Sequence, residues 1–198
     1  MLINIKDIKA VAYAMAGKKD PREYLRGVLL ETNGKAARMV ATDGHRMHAV
    51  QFAVAQDGEI VAPGRYILPA KLVDQLCKGR KFAAYAVDLS VSPDRRVTVK
   101  FPDDTCMTEK LVTGEYVDYT RVIPDTVSGE YAALNPKYVI DALSGVRDYL
   151  RTKTDQVFPA MNGSGPAVLA CGEFRAVIMP MRATISDAPM KSWRTKLA

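Results

Sequence analysis

The sequence predicts an α+β fold, because one order of elements recurs three times along its 198 residues. Each time, a short apolar strand leads into a lysine and an amphipathic helix, and strand-like segments follow the helix. The composition is that of an ordinary globular protein, with 48% apolar and 25% charged residues. A chain of this length is able to bury a substantial core.

Three helices are predicted directly after residues 2–6, 66–71 and 131–137. Their apolar side chains recur at the i, i+3, i+4, i+7 spacing of a helix with one buried face. These side chains are Ile8, Val11, Ala12 and Met15, then Leu72, Val73, Leu76 and Cys77, then Val139, Ile140 and Leu143. Proline near two helix starts and glycine at three helix ends set the predicted bounds, at Pro69, Pro136, Gly17, Gly79 and Gly145.

Strand-like segments fill the rest of each repeat. They span residues 24–31, 37–42 and 47–53, then 83–90, 96–101 and 107–112, then 149–153, 156–161, 167–170 and 175–179. Asn-Gly, Pro-Asp, Asp-Asp and Asn-Gly-Ser-Gly stand between them, which are sequences typical of turns. The pattern therefore predicts three units of strand, helix and three strands, of which the third is less regular.

Bulk properties narrow the class of protein. The net charge of +6 and pI near 9.2 favour a polyanionic partner, although many basic proteins bind no nucleic acid. Three scattered cysteines form neither a disulfide framework nor a zinc spacing, so reduced thiols are predicted. No segment has the length of a membrane span, and the first residues lack the order of a signal peptide. A cytoplasmic location is the resulting expectation.

Catalytic and metal-binding readings have little support. His45 and His48 lie three residues apart, but no third ligand is near them in the sequence. A hydrolase that uses Asp43 and His45 is a remote alternative, although no nucleophile motif accompanies the pair. Residues 162–166 contain two glycines but lack the lysine and helix of a phosphate-binding loop. We expect no enzyme activity, no metal and no cofactor.

Four segments carry a resemblance to a known family. They are residues 23–31, the Ala-Thr-Asp-Gly-His-Arg-Met sequence of residues 41–47, residues 114–124, and the Val-Ile-Met-Pro-Met-Arg sequence of residues 177–182. In this order they resemble the bacterial DNA polymerase III beta subunit, or sliding clamp, family. The resemblance implies a DNA-clamp fold, in which antiparallel sheets are backed by paired helices.

The extent of the resemblance suggests a truncated clamp. Residues 1–126 resemble the family's complete middle domain with two units, and residues 127–185 resemble the second half of its last domain. Residues 186–198, with Trp193, have no counterpart in the family pattern. Three positions depart from the family's usual choices: Val117, Thr120 and Ala183.

The resemblance implies a site that grips short peptide segments of polymerases and repair proteins. Carried over residue by residue, its positions are Leu25, Thr42, Gly44, His45, Arg46, Met47, Val117, Arg121, Val122, Val177, Met179, Pro180, Met181 and Arg182. Apolar members would form a cleft for leucine-like or aromatic anchors, and methionine suits several partners because its side chain repacks readily. His45, Arg46, Arg121 and Arg182 would supply polar groups at the rim. The alternative interpretation of these residues is ordinary core and turn structure.

The family also implies a hold on duplex DNA without sequence specificity, through phosphate-directed positive charge. The candidates are Lys6, Lys9, Arg22, Tyr24, Lys71, Lys78 and Lys137. Lysines on exposed helix faces equally serve solubility, so the sequence leaves open whether duplex DNA is a partner. The leading hypothesis is a replication accessory, or processivity, factor without catalytic chemistry. The alternative is a decoy that occupies clamp ligands and does not encircle DNA.

A single half domain would leave a sheet edge unpaired and a helix uncovered. We therefore expect a homo-oligomer, in which two chains join through their C-terminal halves into one composite domain. Two such dimers would contain the twelve units of a clamp ring.

Overall fold

The computed structural model describes residues 1–54, 61–78, 86–150 and 156–182. Within these ranges the helices are α1 (Ile5–Ala12), α2 (Ala70–Lys78) and α3 (Pro136–Leu150), with 3₁₀ turns at Glu23–Arg26 and Tyr119–Val122. The strands are β1 (Leu2–Asn4), β2 (Val28–Thr32), β3 (Ala36–Thr42), β4 (Arg46–Ala53), β5 (Gly64–Leu68), β6 (Ala86–Val91), β7 (Arg96–Lys100), β8 (Cys106–Lys110), β9 (Phe158–Ala160), β10 (Ala167–Cys171) and β11 (Phe174–Ile178). None of the helices in these ranges has the length and apolar character of a membrane span.

The strands form two antiparallel sheets, with the orders β1-β6-β7-β8 and β5-β2-β3-β4-β11-β10-β9. We call β1–β4 with α1 unit 1, β5–β8 with α2 unit 2, and α3 with β9–β11 unit 3. Units 1 and 2 exchange their first strands, since β1 pairs with β6 and β5 pairs with β2. Neither unit can complete its sheet alone, so the exchange interlocks the two.

Unit 3 joins this body through its last strand. β11 pairs with β4, the last strand of unit 1, and places Val177 opposite Met47 and Ile178 opposite Arg46. The seven-stranded sheet therefore runs without a break from unit 1 into unit 3.

The three helices pack side by side, with α1 in contact with both α2 and α3. A core of fully buried side chains fills the space between the helices and the sheets, and it includes Ile5, Ile8, Leu72 and Phe174. Glycine at position 145 permits the close approach of α3. A Cβ atom there would lie 2.8 Å from the Ala10 carbonyl oxygen and 2.9 Å from the Phe174 ring.

The α+β class and the antiparallel sheets backed by helices are confirmed, but several predicted bounds are wrong. Gly145 lies inside α3 and does not end it, because the position serves packing. Residues 149–150 are therefore helical. α1 ends at Ala12, five residues before Gly17. Residues 24–26 belong to a 3₁₀ turn and residues 131–134 form no strand. Some predicted features lie outside the described residues: Gly79, residues 83–85 and 151–153, Ala183 and the predicted tail at 186–198.

Candidate functional site

The turn between β3 and β4 is fixed by its own side chains. The Asp43 carboxylate accepts hydrogen bonds from the backbone N–H of His45 at 2.9 Å and of Arg46 at 3.1 Å. The Thr42 hydroxyl donates to the Arg46 carbonyl at 2.6 Å and accepts from the Gly44 N–H at 3.1 Å. Gly44 has a φ of +92°, a conformation that side chains with a Cβ rarely adopt. The Thr-Asp-Gly-His-Arg sequence thus specifies one turn geometry.

The segment after β11 lies beside this turn. The Met179 N–H donates to the His45 carbonyl at 2.9 Å, and the Met181 N–H donates to the Ala133 carbonyl at 2.7 Å. Two segments more than 130 residues apart in the sequence are therefore adjacent. This is the approach that a shared groove between them requires.

A cavity of about 190 Å³ opens between the two segments. Its lining is Arg22, Leu25, Thr42, Gly44, Arg46, Met47, Val117, Asp118, Tyr119, Val122, Val177 and Met179. Leu25, Met47 and Val177 are buried and form an apolar floor, whereas Met179 is 37% exposed at the rim. Pockets that enclose drug-sized ligands measure about 300–1,000 Å³. This cavity is smaller, so its size suits an inserted apolar side chain.

A second cavity, of about 720 Å³, shares Met179 with the first. The rest of its lining is Glu130, Tyr131, Ala132, Ala133, Gly163, Ser164, Pro180, Met181 and Arg182. The two cavities together contain all the predicted peptide-contacting residues except His45 and Arg121. His45 is exposed and stacks on Tyr138 at 6.4 Å between ring centroids. Arg121 is exposed and pairs with Asp118 at 3.0 Å.

Arg46 differs from its predicted role at the polar rim. Its side chain is buried, with the guanidinium hydrogen-bonded to the carboxylates of Asp43 and Asp141 and 4.5 Å from the centre of the Tyr138 ring. Burial raises the pKa of Asp141, but hydrogen bonds and charge from Arg46 and Lys137 outweigh it, so the net pKa is lowered. Asp141 and Tyr138 lie on α3, so Arg46 fastens unit 3 to the turn of unit 1 from beneath the cavity.

His48 is a core residue. It is fully buried, with Nδ1 3.0 Å from the Ala10 carbonyl oxygen and its ring edge-on to Phe174. Burial lowers the pKa of His48 from 6.5 to about 4. The imidazole is therefore neutral at pH 7, with Nδ1 as the donor to Ala10. Among the residues that the structure describes, no group of three His, Cys, Asp or Glu side chains is placed to hold a metal ion.

Three residues of the smaller cavity were absent from the predicted peptide site. Asp118 and Tyr119 belong to the segment 114–124 that carried the family resemblance. Including every residue of that segment in the predicted site would have found them. Arg22 was predicted to contact DNA, but it lines the smaller cavity, donating to the Asp43 carbonyl at 3.1 Å and to the Asp20 carboxylate at 2.8 Å. A Cβ at Gly44 would lie 3.2 Å from Arg22 Nη1, so the glycine also makes room for this guanidinium.

The other predicted DNA contacts fall mainly on the helices. Lys6 and Lys9 lie on α1, Lys71 and Lys78 on α2, and Lys137 on α3. Tyr24 instead packs against the buried apolar cluster that contains Leu25, Met47 and Val177. Four of these lysines have acidic partners at 2.7–3.6 Å: Lys9 with Asp148, Lys71 with Glu109, Lys78 with Asp74, and Lys137 with Asp141. The Lys6 ammonium lies 5.1 Å from the Tyr149 ring centre. The helix layer thus carries five lysines, four of them paired with carboxylates.

Comparison with known proteins matches residues 4–118, more than half of the chain, to the family model described as DNA polymerase III beta subunit, central domain. The beta sliding clamp of Vibrio cholerae is 38% identical over 122 residues, which are 61% of this chain and 31% of the relative. That of Escherichia coli K12 is 34% identical over 118 residues, covering 59% of this chain and 30% of the relative. These matches span about a third of the length of the curated relatives.

Solved structures agree with the fold over a longer stretch. The DNA polymerase III beta subunit of Thermotoga maritima superposes with a TM-score of 0.74 at 16% identity, covering 93% of this chain and 65% of that one. The beta subunit of Pseudomonas aeruginosa gives 0.71 at 22% identity, covering 92% and 66%. The fold agreement thus includes unit 3, beyond the residues that the family model matches. The chain belongs to the DNA polymerase III beta subunit, or sliding clamp, family.

Proposed function

We propose that this chain is a sliding-clamp-like accessory factor of DNA replication that docks short linear segments of polymerases and repair proteins. The observation that carries the proposal is the apolar cavity between the β3–β4 turn of unit 1 and the segment after β11 of unit 3. A Pseudomonas aeruginosa sliding clamp has been solved bound to griselimycin, so a clamp of this fold is able to hold a ligand. The factor has no catalytic chemistry of its own and works in the cytoplasm.

Buried and exposed residues of the docking site have different roles in binding. Leu25, Met47 and Val177 form a floor that accepts a leucine-like or aromatic anchor, whose burial contributes about 1.5–3 kcal/mol. Met179 and Met181, at the rim, repack around different anchors. Arg182, in the larger cavity, supplies a cation for a carboxylate of the bound segment. A few anchors then carry most of the binding energy.

Fluorescence anisotropy with a labelled polymerase-derived peptide carrying leucine and phenylalanine anchors tests this site. Met179→Ala removes rim contacts of both cavities and is expected to weaken binding by about tenfold, equivalent to 1.4 kcal/mol. Arg182→Ala is expected to weaken binding of the same peptide by removing the cation. Met15→Ala is the matched control, because Met15 is half-buried on the α1 side and lines neither cavity. Equal peptide affinity of the wild type and of the Met179→Ala, Arg182→Ala and Met15→Ala variants would refute the assignment of the site.

DNA is the second proposed partner. Lys6, Lys9, Lys71, Lys78 and Lys137 project from one helix layer, which gives phosphate-directed charge without base-reading groups. The acidic partners of four of these lysines reduce the net field, so we expect weak, strongly salt-dependent contact. Longer retention on circular than on linear duplex DNA, at matched salt, would support encirclement. Equally rapid loss from both would leave a factor that binds peptides without holding DNA.

Self-association is the third part of the proposal. α3 exposes Ile140 (62%) and Leu143 (47%), and Phe158 on the edge strand β9 is 63% exposed. Exposed apolar side chains on a helix and on a sheet edge are typical of an interface. We assign residues 1–126 to one domain and residues 127–185 to a half domain that a second chain completes, with 186–198 as a tail. Leu143→Asp is expected to lower the mass measured by light scattering.

A further inference from the structure

Residues 130–133 form one wall of the larger cavity, and hydrogen bonds hold the backbone of this wall at both ends. At one end the Gly163 N–H donates to the Glu130 carbonyl at 2.9 Å. At the other end the Met181 N–H donates to the Ala133 carbonyl at 2.7 Å. The side chains between these two bonds are therefore presented from a fixed backbone.

Tyr131, in the middle of this wall, is exposed to an unusual degree for an aromatic residue. Its exposed fraction is 86%, the highest among the exposed large apolar side chains of the described ranges, so both faces of the ring are open to a ligand. Met181 (53%) and Met179 (37%), which line the same cavity, are exposed as well. Single exposed apolar side chains are common, but several around one cavity are typical of a binding site. Since tyrosine offers a large, rigid contact area at low entropic cost, we expect its ring to contact the docked segment.

Glu130 places a carboxylate beside this ring. It is exposed, and it is the only carboxylate among the described residues that line the cavity. A Cβ atom at Gly163 would lie 2.6 Å from Glu130 Oε2 and 3.3 Å from Glu130 Cβ, so the acidic side chain lies over the glycine backbone. The absence of a side chain at Gly163 thus makes room for the carboxylate at the cavity.

An open aromatic face and a carboxylate on one wall are the two groups that recognise a guanidinium. Arginine stacks its planar guanidinium on an aromatic ring and pairs with a carboxylate through two parallel hydrogen bonds. Lysine is a point charge and lacks the planar pair of donors. We propose that Glu130 and Tyr131 form a subsite for an arginine side chain of the docked segment. This inference rests on the proposed docking of peptide segments and adds a preference among them.

The subsite is continuous with the cavity that takes the apolar anchor, because Met179 lines both cavities. The larger cavity, of about 720 Å³, is about 9 Å across, a distance that an extended segment covers in about three residues of 3.3 Å each. The arginine is therefore expected within about four residues of the anchor.

The charges of the larger cavity also favour one direction of the docked segment. Glu130 attracts a cation, whereas Arg182, which lines the same cavity, repels one. Only a segment that brings its arginine to the Glu130 side gains from both groups, since complementary charges fix the register of a bound chain.

Fluorescence anisotropy with the labelled polymerase-derived peptide tests the subsite. Arginine or glutamine is placed in turn at each of four positions on either side of the apolar anchors. At one position we expect the arginine peptide to bind about threefold to tenfold more tightly than the glutamine peptide. Lysine at that position should give a smaller gain. Binding of the peptides without an arginine preference at any position refutes the subsite alone, whereas failure of every peptide to bind refutes the docking function as well.

Substitutions then assign the preference to its two residues. Glu130→Gln and Tyr131→Ala should each bring the ratio of arginine-peptide to glutamine-peptide affinity close to one, and Tyr131→Phe should keep the ratio because the ring face remains. Glu173→Gln is the matched control, since it removes the same charge from an exposed residue that lines neither cavity.

The outcomes separate a specific contact from a general charge effect. An unchanged affinity ratio in Glu130→Gln and Tyr131→Ala overturns the assignment. An equal fall of the ratio in Glu173→Gln also overturns it, because the preference would then report net charge. If Tyr131→Ala fails to fold, the affinity ratio of Glu130→Gln decides.

Discussion

The buried histidine at position 48 predicts a defined loss of stability in mild acid. The pKa of His48 is lowered from 6.5 to about 4 because burial disfavours the charged ring. The unfolded chain takes up a proton near pH 6.5, whereas the folded protein does so only near pH 4. The neutral ring therefore contributes stability that is fully present above pH 6.5 and is lost as the pH falls toward 4.

The magnitude follows from the two pKa values. Their difference corresponds to about 3 kcal/mol in total, and linkage places about 2 kcal/mol of the loss between pH 7 and pH 5. Carboxylates with lowered pKa values, such as Asp141, protonate mainly below this window. The interval from pH 7 to pH 5 thus isolates the histidine.

Urea unfolding followed by circular dichroism at pH 7, 6 and 5 measures the effect. His48→Gln keeps a donor for the Ala10 carbonyl but cannot titrate, so its free energy of unfolding should fall by about 2 kcal/mol less than that of the wild type. His45→Gln makes the same change at an exposed histidine and is the control. An identical decline in His48→Gln and the wild type would refute the account of His48 as a neutral core residue.

Two further substitutions test the attachment of unit 3. Gly145→Ala should destabilise the protein by about 1–3 kcal/mol in urea unfolding, since the added methyl overlaps α1, whereas Gly17→Ala, with open space around it, should not. A stabilised Gly145→Ala protein would contradict the close packing of α1 and α3. Asp141→Asn should lower the free energy of unfolding by about 1–3 kcal/mol at pH 7, because Arg46 keeps Asp43 but loses one of its two carboxylates. A wild-type unfolding curve for Asp141→Asn would show that the ion pair contributes nothing to the attachment.

Much of the architecture was predictable from local sequence. The periodicity of the apolar residues placed the three helices, and the resemblance of residues 41–47 and 177–182 brought the turn and the terminal strand together. Helix ends were less predictable. Gly145 looks like a helix terminator in the sequence, but the tertiary contact with Ala10 decides its role.

Arg46 shows the same limit within the site. Its position in the motif suggested an exposed cation at a binding rim, whereas Asp141, 95 residues later, holds its guanidinium inward. No local pattern links the two residues, since the pairing depends on how α3 docks. Arg22 likewise reached the cavity through contacts with Asp20 and the Asp43 carbonyl, which only the folded turn provides.

The β4–β11 ladder couples occupancy of the cavity to attachment of unit 3, because the cavity is lined by residues on both sides of the ladder. A ligand that touches both the Gly44 turn and Met179 binds only the closed arrangement, so it must oppose any opening of the seam between β4 and β11. At a ligand concentration of 100 times Kd the opening becomes less favourable by about 2.7 kcal/mol. Amide hydrogen exchange between β4 and β11 would then slow in proportion to ligand concentration, so the exchange rate of these amides measures docking.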